Sequence, residues 1–184
     1  MTSIVGRGIR IEFGTAYATD VVVSAITQAD PGAVTATAHA QANKTAGFLS
    51  SVEGMVNLEG QAIRVAGQTT NAFNLEDIVT TNLPAFTGTA LFTPVSTWST
   101  LGRITSYSIG GGEGEKLDDT VLLDNIKQEL QGLLAAQTVT FNLNALTISD
   151  TAMATLRRGA RDSTYYVFRI TLNDGNVRIF RGQP

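Results

Sequence analysis

The segment from Thr138 to Gly182 constrains the fold most, because its pattern changes from strand to helix and then to two strands. The last two strand-like runs, Thr164–Leu172 and Asn176–Gly182, flank the sequence Asn173-Asp174-Gly175. Asp-Gly between β-rich runs is typical of a tight hairpin, because a primed turn needs positive φ and glycine supplies it without steric cost. Apolar residues alternate along the first run, which indicates a sheet with one strongly apolar face. The sequence therefore predicts a closing β-hairpin.

One short helix is predicted at about residues 149–159, between a strand-like run at Val139–Leu143 and the hairpin. Ser149 is a good N-cap, and the negative charge of Asp150 suits the N-terminal end of the helix dipole. Gly159 can end the helix as a left-handed cap. The apolar residues of the helix fall on one face: Ala152, Met153, Leu156 and Ala160. A single helix between strands must lay this face against a sheet.

Composition excludes several classes of protein. The 184 residues allow one domain or two small ones, and 43% of them are hydrophobic, which is enough to bury a core. The absence of cysteine excludes disulfides, thiolate catalysis and zinc–thiolate sites. A formal charge of −3 disfavours a basic nucleic-acid binder. We expect no membrane association, because no apolar run approaches the roughly 18–20 residues of a membrane helix, and the N-terminus lacks a secretion signal pattern.

Short strands are also predicted in the first half of the chain. Ile9–Phe13 alternates apolar and charged residues, and Gly14-Thr15 is expected to end this strand. Further short apolar runs, separated by turn residues, predict a small barrel or compact sandwich: Val21–Ile26, Ala33–Ala38, Phe48–Leu49, Gln61–Ala66 and Ala72–Leu75. Pro94 and Trp98 are expected to lead into a later strand at Arg103–Ile109.

Several weak motifs follow one another in a distinctive order over roughly Leu101–Gly182: Leu117-Asp118-Asp119-Thr120, Leu123-Asp124, Gly132-Leu133, Val139-Thr140-Phe141, Phe168-Arg169-Ile170, Asn173-Asp174-Gly175 and Phe180-Arg181-Gly182. This order resembles the major tail tube proteins of long-tailed, lambda-type bacteriophages. In that family an acidic connecting segment precedes a Gly-Leu…Val-Thr-Phe strand, and a hairpin closes the fold. The resemblance implies a mainly β fold, a tail-tube-type β-sandwich or barrel with one packed α-helix.

A second resemblance covers the stretch between Ile26 and Leu75. The fragments that carry it are Ile26-Thr27-Gln28-Ala29-Asp30-Pro31, Val34-Thr35-Ala36, His39, Val52-Glu53-Gly54-Met55, Leu58-Glu59-Gly60, Ile63-Arg64-Val65 and Thr70-Asn71-Ala72-Phe73-Asn74-Leu75. They resemble a β module inserted in many phage tail proteins, which is similar in fold to a small half-domain of ubiquitin-activating enzymes. The sequence departs from that module after His39, where a glycine is common. We therefore predict a tail tube core domain at 1–21 and 91–184, and an inserted β-barrel-like module at 22–90 that projects outward.

The segment after the glycine run Gly110–Gly112 has two interpretations. Apolar residues between Leu117 and Leu134 have helical spacing, and Asp119 could cap a helix. The resemblance implies instead an extended or loosely helical arm that orders on assembly and reaches a neighbouring subunit, with the glycines as a flexible hinge. The candidate inter-subunit arm residues are Gly110, Gly112, Gly114, Leu117, Asp118, Asp119, Leu122, Leu123, Asp124 and Ile126.

No catalytic, metal or cofactor site is predicted. His39 is the only histidine, and no nucleophile elbow accompanies it, so we expect a structural or solvent-facing role. The acids Asp118, Asp119 and Asp124 miss the spacing of a calcium loop. Arginines near the C-terminus could bind phosphate, yet salt bridges to the acidic arm of a neighbouring subunit explain them better. The candidates for those bridges are Arg157, Arg158, Arg161 and Arg181.

Together these features predict a structural virion protein and not an enzyme. The resemblance implies homo-hexameric rings that stack into the phage tail tube and conduct DNA non-specifically during ejection. It also implies contacts with the terminator, tape-measure and distal tail proteins, after assembly in the host cytoplasm. Two alternatives remain open: a surface-binding or decoration module that contacts the host cell, and a tail-terminator or secretion-tube-like ring protein.

Overall fold

The computed structural model describes residues 4–5, 9–101, 104–112, 114–118, 129–134, 137–143 and 151–184. Over these ranges the chain is mainly β with one α-helix, which confirms the predicted fold class. The helix α1 is Thr151–Arg161, and a 3-10 turn is formed by Val56–Leu58. The strands in chain order are β1 (Ile4–Val5), β2 (Arg10–Tyr17), β3 (Val21–Val23), β4 (Ala25–Ile26), β5 (Ala33–Thr35), β6 (Ala46–Ser50), β7 (Ala62–Ala66), β8 (Ala72–Leu75), β9 (Ala90–Leu101), β10 (Ile104–Gly110), β11 (Gly114–Asp118), β12 (Glu129–Leu134), β13 (Thr138–Leu143), β14 (Tyr166–Thr171) and β15 (Val177–Gly182).

The chain divides into two compact units. The first consists of Met1–Arg7 and Arg103–Leu146, and the second of Gly8–Gly102 and Thr147–Pro184. The first unit contains the three-stranded antiparallel sheet β1-β10-β13 and the separate hairpin β11–β12, and the second contains a ten-stranded sheet and α1. Both predicted domain boundaries, after residue 21 and after residue 90, lie within the second unit. The predicted inserted module therefore divides the chain differently from these two units, and it stays a prediction.

The ten-stranded sheet runs in the order β15-β14-β2-β9-β6-β7-β8-β5-β4, and β3 also pairs with β9. The first half of the 12-residue β9 pairs with β3 and β6, and its second half pairs with β2. Pro94 and Trp98 were expected to be connecting residues, but both lie inside β9 itself. The later strand predicted at Arg103–Ile109 is confirmed by β10. Proline has no N–H, but the Pro94 carbonyl still accepts a hydrogen bond from the Ala18 N–H (2.8 Å), and the strand continues through it.

The short strands predicted in the first half of the chain are confirmed. Each apolar run predicted between Val21 and Leu75 contains a strand, and Ala72–Leu75 coincides with β8. Their buried side chains form one cluster with the start of β9: Val23, Ile26, Val34, Ala36, Leu49, Val52, Met55, Leu58, Ile63, Val65, Phe73, Leu75, Ala90 and Phe92. Each large apolar side chain contributes roughly 1.5–3 kcal/mol when fully buried. This stretch therefore has a substantial core of its own.

The other half of the large sheet curls over a second, smaller cluster. Ala62, Val95 and Val167 are buried there, and partly buried aromatic and aliphatic side chains pack around them: Tyr17, Phe48, Trp98 and Ile179. The curl brings β15 into contact with β7, although four strands separate them in the sheet order. Burial raises the pKa of Tyr17, whose phenol oxygen accepts a 3.4 Å hydrogen bond from the Val167 N–H.

Strand β2 is longer than the sequence predicts. It continues through Gly14-Thr15, which were expected to end it, and reaches Tyr17. The ladder between β2 and β9 shifts register twice, between Gly14 and Ala16 and again before Tyr17. Such irregularities absorb an extra residue without ending the pairing. A Cβ on Gly14 would lie only 2.8 Å from a methyl group of Val95, so glycine here allows a close approach of the two strands.

The predicted closing hairpin is formed by β14 and β15, with Thr171 opposite Val177. Its turn differs from the predicted primed type, because Gly175 (φ +84°) is the only residue of the turn with positive φ. The Gly175 N–H donates to the Leu172 carbonyl (3.0 Å), as in a type I turn followed by a glycine bulge. The carboxylate of Asp174 accepts hydrogen bonds from the backbone N–H and side-chain amide of Asn176, which lower the pKa of Asp174.

Helix α1 ends later than predicted. The predicted N-cap Ser149 and the acidic residue Asp150 lie outside the described residues. Ala152 and Leu156 are buried as expected, Met153 is half-buried, and Ala160 is exposed. Gly159 is not a cap, because the helix continues to Arg161. It lies against the ring of Tyr166, where a Cβ would come within 2.3 Å of the ring carbon Cε2. The glycine is needed for packing and not for chain reversal.

Replacing Gly159 by alanine is expected to destabilise the protein. Alanine gains about 1 kcal/mol of helix propensity, but overpacking against Tyr166 costs about 1–3 kcal/mol. We expect a net loss of about 1 kcal/mol in the free energy of unfolding, measured by urea denaturation. Ala160→Gly, at the exposed neighbouring position, is the control that measures the effect of helix propensity alone on the free energy of unfolding. A more stable Gly159→Ala variant would show that Tyr166 moves aside without cost.

An ion pair connects β7 to the residue that follows β8. The guanidinium of Arg64 donates two hydrogen bonds to the carboxylate of Glu76, and these lower the pKa of Glu76. Because the pKa of Glu76 is lower in the folded state than in the unfolded state, the ion pair stabilises the fold at pH values above the ordinary glutamate pKa. This contribution is lost as pH falls through the lower folded value.

Glu76→Gln is therefore expected to cost about 1 kcal/mol at pH 7 and progressively less as pH falls below the ordinary glutamate pKa of about 4.3. The measurement is the denaturation midpoint of both proteins over this pH range. Equal differences between the two proteins at pH 7 and pH 3 would contradict the assignment of this stability to the ion pair.

Candidate assembly surfaces

A glycine turn after β10 leads into the predicted arm. Gly111 and Gly112 have positive φ values of +77° and +79°, which glycine adopts readily. The chain then forms the antiparallel hairpin β11–β12, in which Leu117 lies opposite Leu130 and Asp118 opposite Glu129. This hairpin is a two-stranded sheet that pairs with no other described strand. A two-stranded sheet is marginally stable by itself.

Half of the predicted arm residues fall in this region. Gly110 closes β10, Gly112 lies in the turn, and three residues lie in β11: Gly114, Leu117 and Asp118. The other five lie outside the described residues: Asp119, Leu122, Leu123, Asp124 and Ile126. The helical alternative is wrong at both ends of the segment, because Leu117-Asp118 and Glu129–Leu134 are strands.

Three of the predicted arginines lie together on α1. Arg157, Arg158 and Arg161 are exposed in the last turns of the helix, and Arg161 lies one turn beyond Arg157. Within the part of the chain that the structure describes, none of them forms a salt bridge. They form a compact positive surface whose charges are available to a partner, which we call the helix-arginine surface.

Arg181 lies elsewhere and has a different environment. Its guanidinium carbon lies 4.2 Å from the ring centroid of Phe48 and 4.9 Å from that of Tyr165. Its Nε is buried and has no hydrogen-bond partner among the residues that the structure describes. A Cβ on Gly60 would lie 2.9 Å from its Nη1, so the glycine leaves room for the guanidinium. Arg181 thus packs within its own unit, and its predicted inter-subunit salt bridge stays a prediction.

A buried charge cluster surrounds Glu12, and no sequence pattern predicted it. Its side chain is only 2% exposed, and one carboxylate oxygen accepts hydrogen bonds from Arg169 Nε (2.9 Å) and Nη2 (2.6 Å). The other oxygen pairs with Arg10 Nη2 (2.5 Å), whose side chain is 62% exposed. Arg169 also stacks over Trp98, 4.2 Å from the ring centroid. The cluster connects three adjacent strands, β14, β2 and β9, near one end of the sheet.

Both sheets end in strands that have a single partner among the described residues. The three-stranded sheet ends in β1 and β13, and the ten-stranded sheet ends in β15 and β4. The outer backbone groups of such strands are templates for pairing with another chain. In β15 the apolar side chains are half-buried and not fully covered: Val177, Ile179 and Phe180.

His39 has a structural role, which is one of the two roles expected from the sequence. It is 4% exposed, and its Nδ1 accepts a hydrogen bond from the Gln41 N–H (3.0 Å), so Nε2 carries the proton and donates to the Ala72 carbonyl (3.2 Å). Its ring packs edge-on against Phe73. A cavity of about 350 Å³ beside it is lined by Asp20, Val21, Val22, Ser24, Thr37, Ala38 and His39.

No cluster of three or more metal-ligating side chains occurs among the residues that the structure describes. In the same ranges, no helix has the length and apolar character needed to cross a membrane.

A protein-family model described as "Phage tail tube protein, TTP" matches residues 53–182, which is more than half of the chain. The chain belongs to the phage tail tube protein family. The match to this tail tube family includes β10 to β15, α1 and the predicted arm, and it begins inside the predicted module, at Glu53. A search of curated proteins found no match.

Family membership confirms the resemblance to major tail tube proteins that the motif order indicated. The tail tube protein is a structural component of the phage tail. Its candidate functional sites are consequently surfaces for assembly: the β11–β12 hairpin, the helix-arginine surface and the open sheet edges.

Proposed function

We propose that this tail tube protein forms closed hexameric rings that stack into the tail tube and conduct DNA during ejection. The observation that carries the proposal is that, among the described residues, the outer strands of each unit's main sheet pair with a single neighbouring strand. An exposed edge strand favours uncontrolled aggregation unless a partner covers it. Joining edges around a closed ring satisfies their backbone groups, and a heterologous interface of this kind gives a ring when its rotation closes.

The arm provides a second contact between subunits. The hairpin β11–β12 is too small to be stable alone, so docking on a neighbour is a physical reason for it to persist. Its continuation carries Asp118, Asp119 and Asp124, whereas the helix-arginine surface has no described salt-bridge partner. We propose that the acidic arm of one subunit pairs with this surface on the next, and that the glycine turn at Gly110–Gly112 sets the arm's direction.

The inserted module at 22–90 is proposed to project outward from a core domain formed by 1–21 and 91–184. Its separate hydrophobic cluster supports a compact module. A module that pointed inward would obstruct the bore, so we place the module on the outer surface of the tube. The proposed partners are further copies of the chain and the terminator, tape-measure and distal tail proteins, with assembly in the host cytoplasm and no enzymatic activity.

Negative-stain electron microscopy of the purified protein over a concentration series tests the proposal. We expect hollow tubes, and rings with six subunits in end-on views. Single rings that never stack would favour the tail-terminator alternative. A monodisperse monomer at every concentration, also in the presence of preformed tail tips, would contradict the proposed ring assembly.

A second candidate function is host-surface binding by the module. The observation that favours it is the cavity beside His39, whose lining includes the polar residues Asp20, Ser24 and Thr37 together with exposed Val22. The test is binding of the full chain to host-cell surface material, with Asp20→Ala as the variant expected to lose it. Absence of binding by the wild-type tube would exclude this function.

A further inference from the structure

The sheet β1-β10-β13 has two chemically different faces. The register of β10 and β13 pairs Ser106 with Asn142, Ser108 with Thr140 and Gly110 with Thr138. Residues opposite each other in an antiparallel pair point to the same face. The side-chain amide of Asn142 donates to the Ser106 hydroxyl (2.8 Å), which confirms that these two residues share a face. Val5 of β1 lies opposite Ser106 on the same side of the sheet. We call the part of this side formed by β10 and β13 the uncharged face, defined by Ser106, Ser108, Thr138, Thr140 and Asn142.

The opposite face is apolar. Tyr107 lies opposite Phe141 and Ile109 opposite Val139. Tyr107 is 6% exposed and Phe141 and Val139 are half-buried, whereas Ile109 is 42% exposed, so this side of the sheet is packed around Tyr107. On the uncharged face, Ser108, Thr138, Thr140 and Asn142 are exposed. The sheet therefore presents hydroxyl and amide groups to solvent, and none of these five side chains carries a charge.

This chemistry suits a surface past which a polyanion must move. Duplex DNA carries one negative charge per about 1.7 Å of its axis, and lysine or arginine contacts with phosphates supply most of non-specific binding. Hydroxyl and amide side chains hold a water layer and exert no net charge on the phosphates. A wall built from them neither retains the DNA nor repels it strongly.

We propose that the uncharged face of β10 and β13 lines the bore of the tube and is separated from the passing DNA by water. This inference rests on the proposed tube function and specifies which surface meets the DNA. The exposed arginines on α1 and β15 of the other unit, Arg157, Arg158, Arg161 and Arg178, would bind phosphate, so the surfaces that carry them are poor candidates for the bore.

The absence of cysteine in the chain makes the test direct, because an introduced thiol is the only one present. Thr140→Cys and, separately, Ser108→Cys are assembled into tubes. Each is treated with a small maleimide or with a maleimide on a carrier too large for the bore, such as a ferritin shell. Unassembled subunits of the same variant are the control and should react with both reagents. Val79→Cys, 53% exposed in the predicted outward module, is the comparison in tubes.

We expect assembled Thr140→Cys to react with the small reagent and to lose reaction with the large one. Reaction with the large reagent in intact tubes would place the face outside, and reaction with neither would place it in a subunit contact. Either result overturns the inference. The inference also fails if the wild type forms tubes and neither cysteine variant does. If the wild type forms no tubes, the proposed function itself fails, which is a separate result.

A lysine variant tests the reason for the lack of charge. Thr140→Lys is expected to form tubes of normal diameter but to slow DNA release from the phage, and added salt should restore the rate because it weakens phosphate contacts. DNA release at the wild-type rate from Thr140→Lys tubes would contradict the proposal.

Discussion

Glu12→Gln is expected to lower the free energy of unfolding by about 3 kcal/mol, because it leaves Arg169 beside a buried site without its counter-charge. Arg10→Ala removes the other arginine bound to the same carboxylate, but Arg10 is 62% exposed, so its loss should cost less than about 1 kcal/mol. Urea denaturation of the wild type and both variants gives the comparison. Equal losses for the two variants would show that burial does not distinguish the two ion pairs.

A replacement of both buried partners completes this test. Glu12→Leu combined with Arg169→Met removes both charges and keeps similar volumes. We expect it to be much less destabilising than Glu12→Gln, because no unpaired charge remains. If the double variant is as unstable as Glu12→Gln, the loss arises from packing around Trp98 and not from the uncompensated charge.

Reversing the helix-arginine surface is expected to abolish tube formation under conditions in which the wild-type protein assembles. The variant is Arg157→Glu, Arg158→Glu and Arg161→Glu together, and the readout is electron microscopy with sedimentation. The physical reason is that like charges on the arm and the helix replace the proposed attraction between neighbouring subunits. Circular dichroism should show that the variant remains folded, since all three side chains are exposed.

Two matched variants separate pairing from a general effect of charge. Replacing the same arginines by glutamine should weaken assembly less than glutamate does. Lysines at Asp118, Asp119 and Asp124 should restore assembly when combined with the glutamates, because the charges are then exchanged across the interface. Wild-type amounts of tube from the glutamate variant would refute the proposed contact, and failure of the lysine exchange would place the partner of the arginines elsewhere.

Local patterns were sufficient for much of the fold. Alternation and turn residues located the short strands between Val21 and Leu75, and Asp174-Gly175 located the closing hairpin. The type of turn did not follow from the residues, because Asp-Gly also suits a type I turn with a glycine bulge. Gly159 was misassigned for a similar reason: a glycine near a helix end is usually a cap, and the ring of Tyr166 that requires it here is a tertiary contact.

The Glu12 cluster could not be predicted from local sequence. Alternation in Ile9–Phe13 gives Glu12 the pattern of a solvent-facing residue, yet the residue that pairs with it, Arg169, is 157 positions away. Only the pairing of β2 with β14 brings them together. The uncharged face could not be predicted for the same reason. The alternation of Thr138, Thr140 and Asn142 can be read from the sequence, but their partners on β10 cannot. The arm and helix arginines were found through the family resemblance.

The long strand β9 determines where this gene could exchange parts with its relatives. Val21–Val23 pairs with Ala90–Phe92, so junctions after residues 21 and 90 cut through a ladder. A transplanted module would need to bring its own first half of β9, since β6 also pairs with that half. A junction near Pro94-Val95 would instead fall where pairing with β6 and β3 gives way to pairing with β2.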